Sequence, residues 1–352
     1  DYAIDTYLKA RKISGNNNSF SIELAMLYEL RGRISDMMDE YLNLVVSDVN
    51  YLNYIQTRLQ VVLNTDKDSK RGEIIKTAIY RRAQKSPENG VLASLMMWYS
   101  LQIKDFELAF TQAKAIDRRF KDNGSSVFEL AELCSNNNEF DVALAAYQYL
   151  IDKGEGNLYF ISSKIGLLNT KYKKVVSKVI VNNKELENLE KEYIKTLNDI
   201  GRDANTILLM KNLAHIYAFY SQKINQAITV LNEAISIPNA DKKNVALCKL
   251  ELADIYLFSG EIWEATLLYS QVEKSFKNDA IGFEAKLRNA KLSYYIGEFN
   301  WAKAQLDVLK AATSKLIAND AMELSLLISD NLDEDSNTVA LEYFSRADLL
   351  LY

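Results

Sequence analysis

The chain has 352 residues, 48% of them apolar and 25% charged, with a formal net charge of −5 and only 2 Pro and 12 Gly. That apolar share excludes disorder as the main state, and the acidic balance argues against a phosphate-binding surface as the main purpose, because nucleic-acid binders concentrate Lys and Arg. So few turn formers exclude a sheet protein of this size and leave most of the chain free to be helical.

The first residues, Asp1-Tyr2-Ala3-Ile4-Asp5, are polar and helical in pattern, which is not the composition of a secretory leader. No stretch of about 18 apolar residues follows, so no segment is predicted to span a membrane. The chain starts without Met and stops at Tyr352 inside an apolar run. It therefore reads as a fragment truncated at both ends, which leaves open a lost leader and further repeats.

Along the chain one pattern recurs: a small residue, an aromatic or apolar residue three later, Gly or Asn seven later, an aromatic nine later and Ala twelve later. In order the copies are Ala25-Tyr28-Gly32-Ile34-Met37; a weaker one from Met97 to Ala109 with Phe106 at the aromatic place; Ala131-Cys134-Asn138-Phe140-Ala143; Ala214 to Ala227, one residue longer in its turn; Ala253-Tyr256-Gly260-Ile262-Ala265; and Ala290-Ser293-Gly297-Phe299-Ala302. The small residues suit the crossing of two helices, the aromatics fill the gap to the next pair, and Gly or Asn can end the first helix in the left-handed conformation.

Two regions fit this pattern poorly. Residues 51–85 predict a hairpin with a charged turn, Asp66-Lys67-Asp68-Ser69-Lys70, in which only Tyr80 and Ala83 look repeat-like. Residues 157–200 predict a long first helix, a turn at Asn182-Asn183 and a charged second helix from Glu185 to Leu197. Leu189 lies 46 residues beyond Ala143, an insertion of about twelve, read as a tolerated elongation ahead of a functional loop.

With motifs such as Glu251-Leu252-Ala253-Asp254-Ile255-Tyr256 followed by Gly260-Glu261-Ile262-Trp263-Glu264-Ala265, the chain resembles the tetratricopeptide repeat family. Ala109 and Ala143 are 34 residues apart, as are Ala3 and Met37, which is the period of that family, while Ala227, Ala265 and Ala302 follow one another at 38 and 37. The resemblance covers most of residues 1–352 and implies an all-α, right-handed superhelical solenoid of about eight or nine antiparallel helix hairpins in a single array. The chain departs from the family in lacking the Pro after the second helix, in having Ala at the early small position, and in its uneven periods.

Chemistry-bearing constellations are scarce. There is one histidine, His215, and Gly154-Glu155-Gly156 lacks the later Gly and Lys of a phosphate cradle. Asp333-Glu334-Asp335-Ser336-Asn337 resembles the start of a calcium loop, but Thr338 stands where the sharp turn needs Gly and Phe344 where a bidentate Glu belongs, so an acidic linker is expected. Asn17-Asn18-Ser19 and Asn123-Gly124-Ser125 match the glycosylation pattern, which is common by chance. Cys134 and Cys248 lie several repeats apart and read as buried thiols, not a disulfide. No catalytic, cofactor-binding or metal-ligating residue is expected.

In the resembled family the concave wall is lined by fixed positions of each first helix. Carried over, they give Met26, Glu29, Trp98, Leu101, Phe128, Glu132, Lys211, His215, Asp254, Leu257, Lys291 and Tyr294, about half of them expected to be exposed. Members that clasp the C-terminal carboxylate of chaperones use Lys and Asn there. The fifth positions here are Ile22, Ser94, Phe128, Lys211, Leu250 and Leu287, without the required Asn, so that clamp is rejected. Trp98 is the best single anchor, with packing between hairpins as the slightly favoured reading. Trp263 and Trp301 fall on second helices and are read as core or convex surface.

The function expected is a non-enzymatic scaffold that binds a peptide segment or helix of a protein partner in its concave groove. Richness in Lys, Asn, Ile and Tyr points to a bacterial source. A structural or assembly role in a bacterial cell envelope, periplasmic or lipid-anchored, stays open, as does a cytoplasmic location. An enzyme with a site near 157–200 is the least supported alternative.

Overall fold

Close helix crossings need small side chains where the backbones meet. In the computed structural model the alanines of the repeated pattern are all fully buried: Ala25, Ala109, Ala131, Ala143, Ala214, Ala227, Ala253, Ala265, Ala290 and Ala302. The structure describes residues 2–66, 69–178, 182–312, 315–332 and 338–351, and among them there are helices and turns and no strand. The chain divides into two compact units, Asp1–Lys174 and Val175–Tyr352.

In the first unit α1 (Tyr2–Ser14) packs on α2 (Ser21–Leu30), which pairs with α3 (Ile34–Ser47). Next come α4 (Leu52–Asn64) and α5 (Lys70–Lys85), the hairpin of α6 (Gly90–Gln102) with α7 (Phe106–Phe120), the hairpin of α8 (Ser125–Asn136) with α9 (Phe140–Ile151), and α10 (Phe160–Val176), near whose end the boundary falls. The second unit begins with α11 (Asn183–Ile200) and the pair α12 (Ile207–His215) and α13 (Ile224–Ile235). The hairpins of α14 (Lys242–Ser259) with α15 (Ile262–Ser275) and α16 (Ala280–Tyr295) with α17 (Phe299–Ala312) follow, then α18 (Lys315–Asn331) and α19 (Val339–Leu351). Second helices also pack on the next first helix, as α7 does on α8, α13 on α14 and α15 on α16. This is the consecutive hairpin packing that the repeat implied.

The turns share one device. In the six hairpins that carry the repeated pattern, a residue with positive φ ends the first helix, at Gly32, Lys104, Asn138, Gln222, Gly260 and Gly297. The next amide then donates back to the carbonyl five residues earlier: Arg33 to Tyr28, Asp105 to Ser100, Glu139 to Cys134, Glu261 to Tyr256 and Glu298 to Ser293, at 2.8–2.9 Å. That closure satisfies carbonyls the helix end would otherwise leave unpaired. In the copy with one extra residue, α12 continues into a π-helical turn, Ile216–Tyr220, and the closing bond runs from the Lys223 amide to the Tyr217 carbonyl at 2.7 Å.

Ion pairs about one repeat apart then join several neighbouring hairpins. Arg11 grips Glu40 at 2.7 Å, Arg58 reaches Glu29 at 2.6 Å, and Lys153 reaches Asp117 at 2.6 Å in the first unit. Lys223 bonds Glu190 at 2.6 Å in the second. Burial pushes the Asp117 carboxyl up, but hydrogen bonds from Lys153 and the Tyr149 hydroxyl outweigh it and hold it below its ordinary value. Close packing does the same work in α10, where Gly166 lies against the Tyr147 ring and a Cβ would sit 2.4 Å from it.

The two irregular regions are helical as expected, with differences. Tyr80 and Ala83 do pack against the core, but α5 lies against both α3 and α6, and α4 also reaches α6. At the predicted turn, Asn182 caps α11 by accepting from the Lys184 amide, and Asn183 already opens the helix. The charged turn around Lys67 and Asp68 and the calcium-like run Asp333–Asn337 lie outside the described residues.

Candidate functional site

The groove positions expected from the repeat register separate by burial. In the first unit Met26 on α2 and Glu132 on α8 are exposed, while Glu29, Trp98, Leu101 and Phe128 are half-buried. Trp98 packs against the core formed around α2 to α6. Leu101 and Phe128 pack against the core of the next hairpins, and Phe128 stacks on Tyr159 with ring centroids 4.7 Å apart. These side chains are engaged in packing between hairpins.

In the second unit Lys211, His215 and Lys291 are half-buried, but Leu257 is 4% exposed and Tyr294 is 0% exposed. Both belong to the core that also holds Leu250 and Leu287, and so fall in the half of the expected set that is not exposed. Asp254 is buried as well, because both of its carboxylate oxygens are taken by neighbours.

The polar stripe of this unit joins the expected positions Lys211, His215 and Asp254 to two residues one place from the expected register, Glu251 beside Leu250 and Arg288 beside Leu287. Lys211 Nζ on α12 donates to Glu251 Oε2 on α14 at 3.3 Å, and His215 Nδ1 lies 2.7 Å from Oε1. Burial pushes the Glu251 carboxyl up, yet the His215 hydrogen bond and the Lys211 charge bring it below its ordinary value. An ionised carboxylate only accepts, so Nδ1 carries the proton in this pair. One turn further, Asp254 accepts from the Tyr269 hydroxyl on α15 and from Arg288 on α16, whose Nε also donates to Glu284 at 2.8 Å. Cation, anion and cation thus alternate across α12, α14 and α16.

Aromatic rings flank this seam. The π turn after α12 places Phe219 beside His215, centroids 4.7 Å apart, and edge-on to Phe258 of α14 at 5.3 Å. Phe258 is 54% exposed. Single π turns inside α-helices are frequent at functional sites. Glu251, Arg288, Phe219 and Phe258 are absent from the sequence-based set. One signal was available: His215 and Glu251 are 36 residues apart and Asp254 and Arg288 are 34 apart, hydrogen-bonding partners for a carboxylate about one repeat from it.

Near the insertion, Glu187, Glu190 and Lys223 line a cleft of about 240 Å³, where Glu190 accepts from Lys223 and from Ser221. Among the described residues no group of three or more His, Cys, Asp or Glu side chains is placed to hold a metal ion, and no helix is long and apolar enough to cross a membrane. Cys134 and Cys248 are both buried free thiols, pushed up to about 12 by burial.

No family model matches the chain, and no curated protein matches it. It is similar to solved structures of helical-repeat proteins. A signal-transduction ATPase with a tetratricopeptide repeat sensor from Pyrococcus horikoshii is 14% identical with TM-score 0.48, covering 95% of this chain and 52% of that one. The Cut9–Hcn1 hetero-tetramer of the APC/C is 15% identical with TM-score 0.47, covering 92% and 58%. Yeast Tom70 is 12% identical with TM-score 0.47, covering 97% and 88%. The chain thus spans between half and three-fifths of the length of the first two.

Proposed function

We propose that the chain is a non-catalytic scaffold whose second unit binds a polypeptide segment along the face formed by α12, α14 and α16. The observation that carries this reading is the seam itself: buried carboxylates already paired with Lys211, His215 and Arg288, bordered by the partly exposed rings of Phe219 and Phe258. Side chains held by such pairs lose little freedom when a partner arrives, and aromatic groups beside fixed polar groups are the composition of binding hot spots. A folded hairpin array brings these groups together from three helices without any catalytic step.

A second reading has its own observation. Trp263 on α15 is 83% exposed and Trp301 on α17 is 62% exposed, so the second helices also present large apolar groups. Affinity capture from the source cells separates the two. The double variant Phe219→Ala with Phe258→Ala is expected to lose the captured partner, and Trp263→Ala with Trp301→Ala to retain it. The reverse pattern moves binding to the second helices.

A further inference from the structure

The seam ends where α19 leaves the hairpin order. Rather than packing on α18 alone, it also packs on α16, and the three helices enclose a cleft of about 540 Å³ within the second unit. Its apolar lining comes from Leu324 and Leu327 of α18 and Phe344 of α19, with Tyr294 of α16 beside them. Asp320, Glu323 and Asp348 stand around it, with Lys291 the one cation lining it among the described residues.

Two features set this cleft apart from the rest of the first-helix face. In the seam every carboxylate is matched, Glu251 by Lys211 and His215 and Asp254 by Arg288. Here, among the described residues, none of the three carboxylates has an ion-pair partner. The Tyr294 side chain, wholly buried, has a hydroxyl with no hydrogen-bond partner among those residues. A buried hydroxyl left unpaired is costly, and one that lines a cavity is satisfied when a ligand atom fills it. Asp348 is near enough to both Tyr294 and Tyr295 to add to the upward push of burial on their hydroxyls, each raised to about 12. Both remain donors at neutral pH.

We propose that this cleft takes a short amphipathic segment of another polypeptide, with Lys or Arg held by Asp320, Glu323 and Asp348, apolar residues against Leu327 and Phe344, and a polar atom accepting from the Tyr294 hydroxyl. Net negative charge over an apolar floor selects a cationic, amphipathic occupant and repels an anionic one. The inference rests on the scaffold reading and gives it a partner chemistry.

Fluorescence anisotropy with the full chain tests it. The probe is a short fluorescein-labelled peptide of repeating Leu-Lys-Lys-Leu, compared with its Glu and Gln counterparts. The Lys peptide is expected to bind best, and Glu323→Lys with Asp348→Lys to weaken it about tenfold or more. Tyr294→Phe, which keeps the ring and removes only the donor, is expected to weaken it a few-fold with an unchanged circular dichroism melt. Equal binding of the Lys and Gln peptides, or Lys-peptide binding unaffected by the charge reversal, overturns the proposal. If Phe258→Ala abolishes binding and the cleft variants do not, the cleft assignment falls and the seam reading stands. Concentration-dependent dimerisation in sedimentation velocity that only the cleft variants abolish would make a second copy the occupant and also overturn it.

Discussion

Glu251 is a single buried carboxylate that serves both Lys211 and His215, and this sets how the seam responds to acid. Its carboxyl is depressed below the ordinary value of 4.5 because His215 and Lys211 outweigh burial. A depressed carboxyl contributes stability that is fully present above the unfolded pKa and is lost as pH falls through the folded one. The urea midpoint is therefore expected to drop as pH is lowered from about 5 towards 3, and Glu251→Gln to flatten that drop. At neutral pH the same substitution is expected to cost about 1–3 kcal/mol, since it weakens two charge-assisted bonds in a buried place; an unchanged midpoint would show that the pair contributes nothing. The two thiols offer a separate check. Held at about 12, Cys134 and Cys248 are expected to resist iodoacetamide near neutral pH in the native chain and to react in urea.

At the scale of the element, the left-handed turn residue decides how cleanly a hairpin closes. Gly260 has φ +85, so Gly260→Ala is expected to destabilise the second unit by about 1 kcal/mol in urea denaturation. Lys104 holds the same conformation with a side chain, and Lys104→Gly is expected to gain stability or leave it unchanged. A loss would mean that the Lys104 side chain contributes more than its backbone strain costs. The hairpins were legible in sequence because Ala at a crossing and Gly or Asn at a turn are each imposed by local geometry. The open face was less legible. In α14 the buried residues include Ala246, Cys248, Leu250, Glu251, Leu252, Ala253, Asp254, Ile255 and Leu257, so nearly every side of the helix packs and the apolar period does not mark the side left open. Hence Leu250 and Leu287 stood in for Glu251 and Arg288. Likewise the extra residue between Ala214 and Ala227 reads as a longer turn, whereas the chain takes it up as a π turn before the hairpin bends. The return of α19 onto α16 depends on long-range packing that no local pattern encodes.

For the molecule as a whole, repeats that touch only their neighbours make stability a sum of local terms. Each hairpin inside a unit is packed from both sides, while α1 buries little beyond Ile4 and α19 little beyond Leu341 and Ser345. Hydrogen exchange is expected to show α1 and α19 opening before α14 and α16; the opposite order would contradict nearest-neighbour stabilisation. The net charge of −5 is compatible with the cationic partner chemistry inferred for the cleft. The scaffold reading itself stands or falls on which face a partner touches. Photo-cross-linking in the source cells, with benzoylphenylalanine replacing Phe258 on α14 or Leu267 on α15, measures this directly. Adducts to a polypeptide from position 258 and few from 267 are the predicted result, and adducts from 267 alone would contradict it.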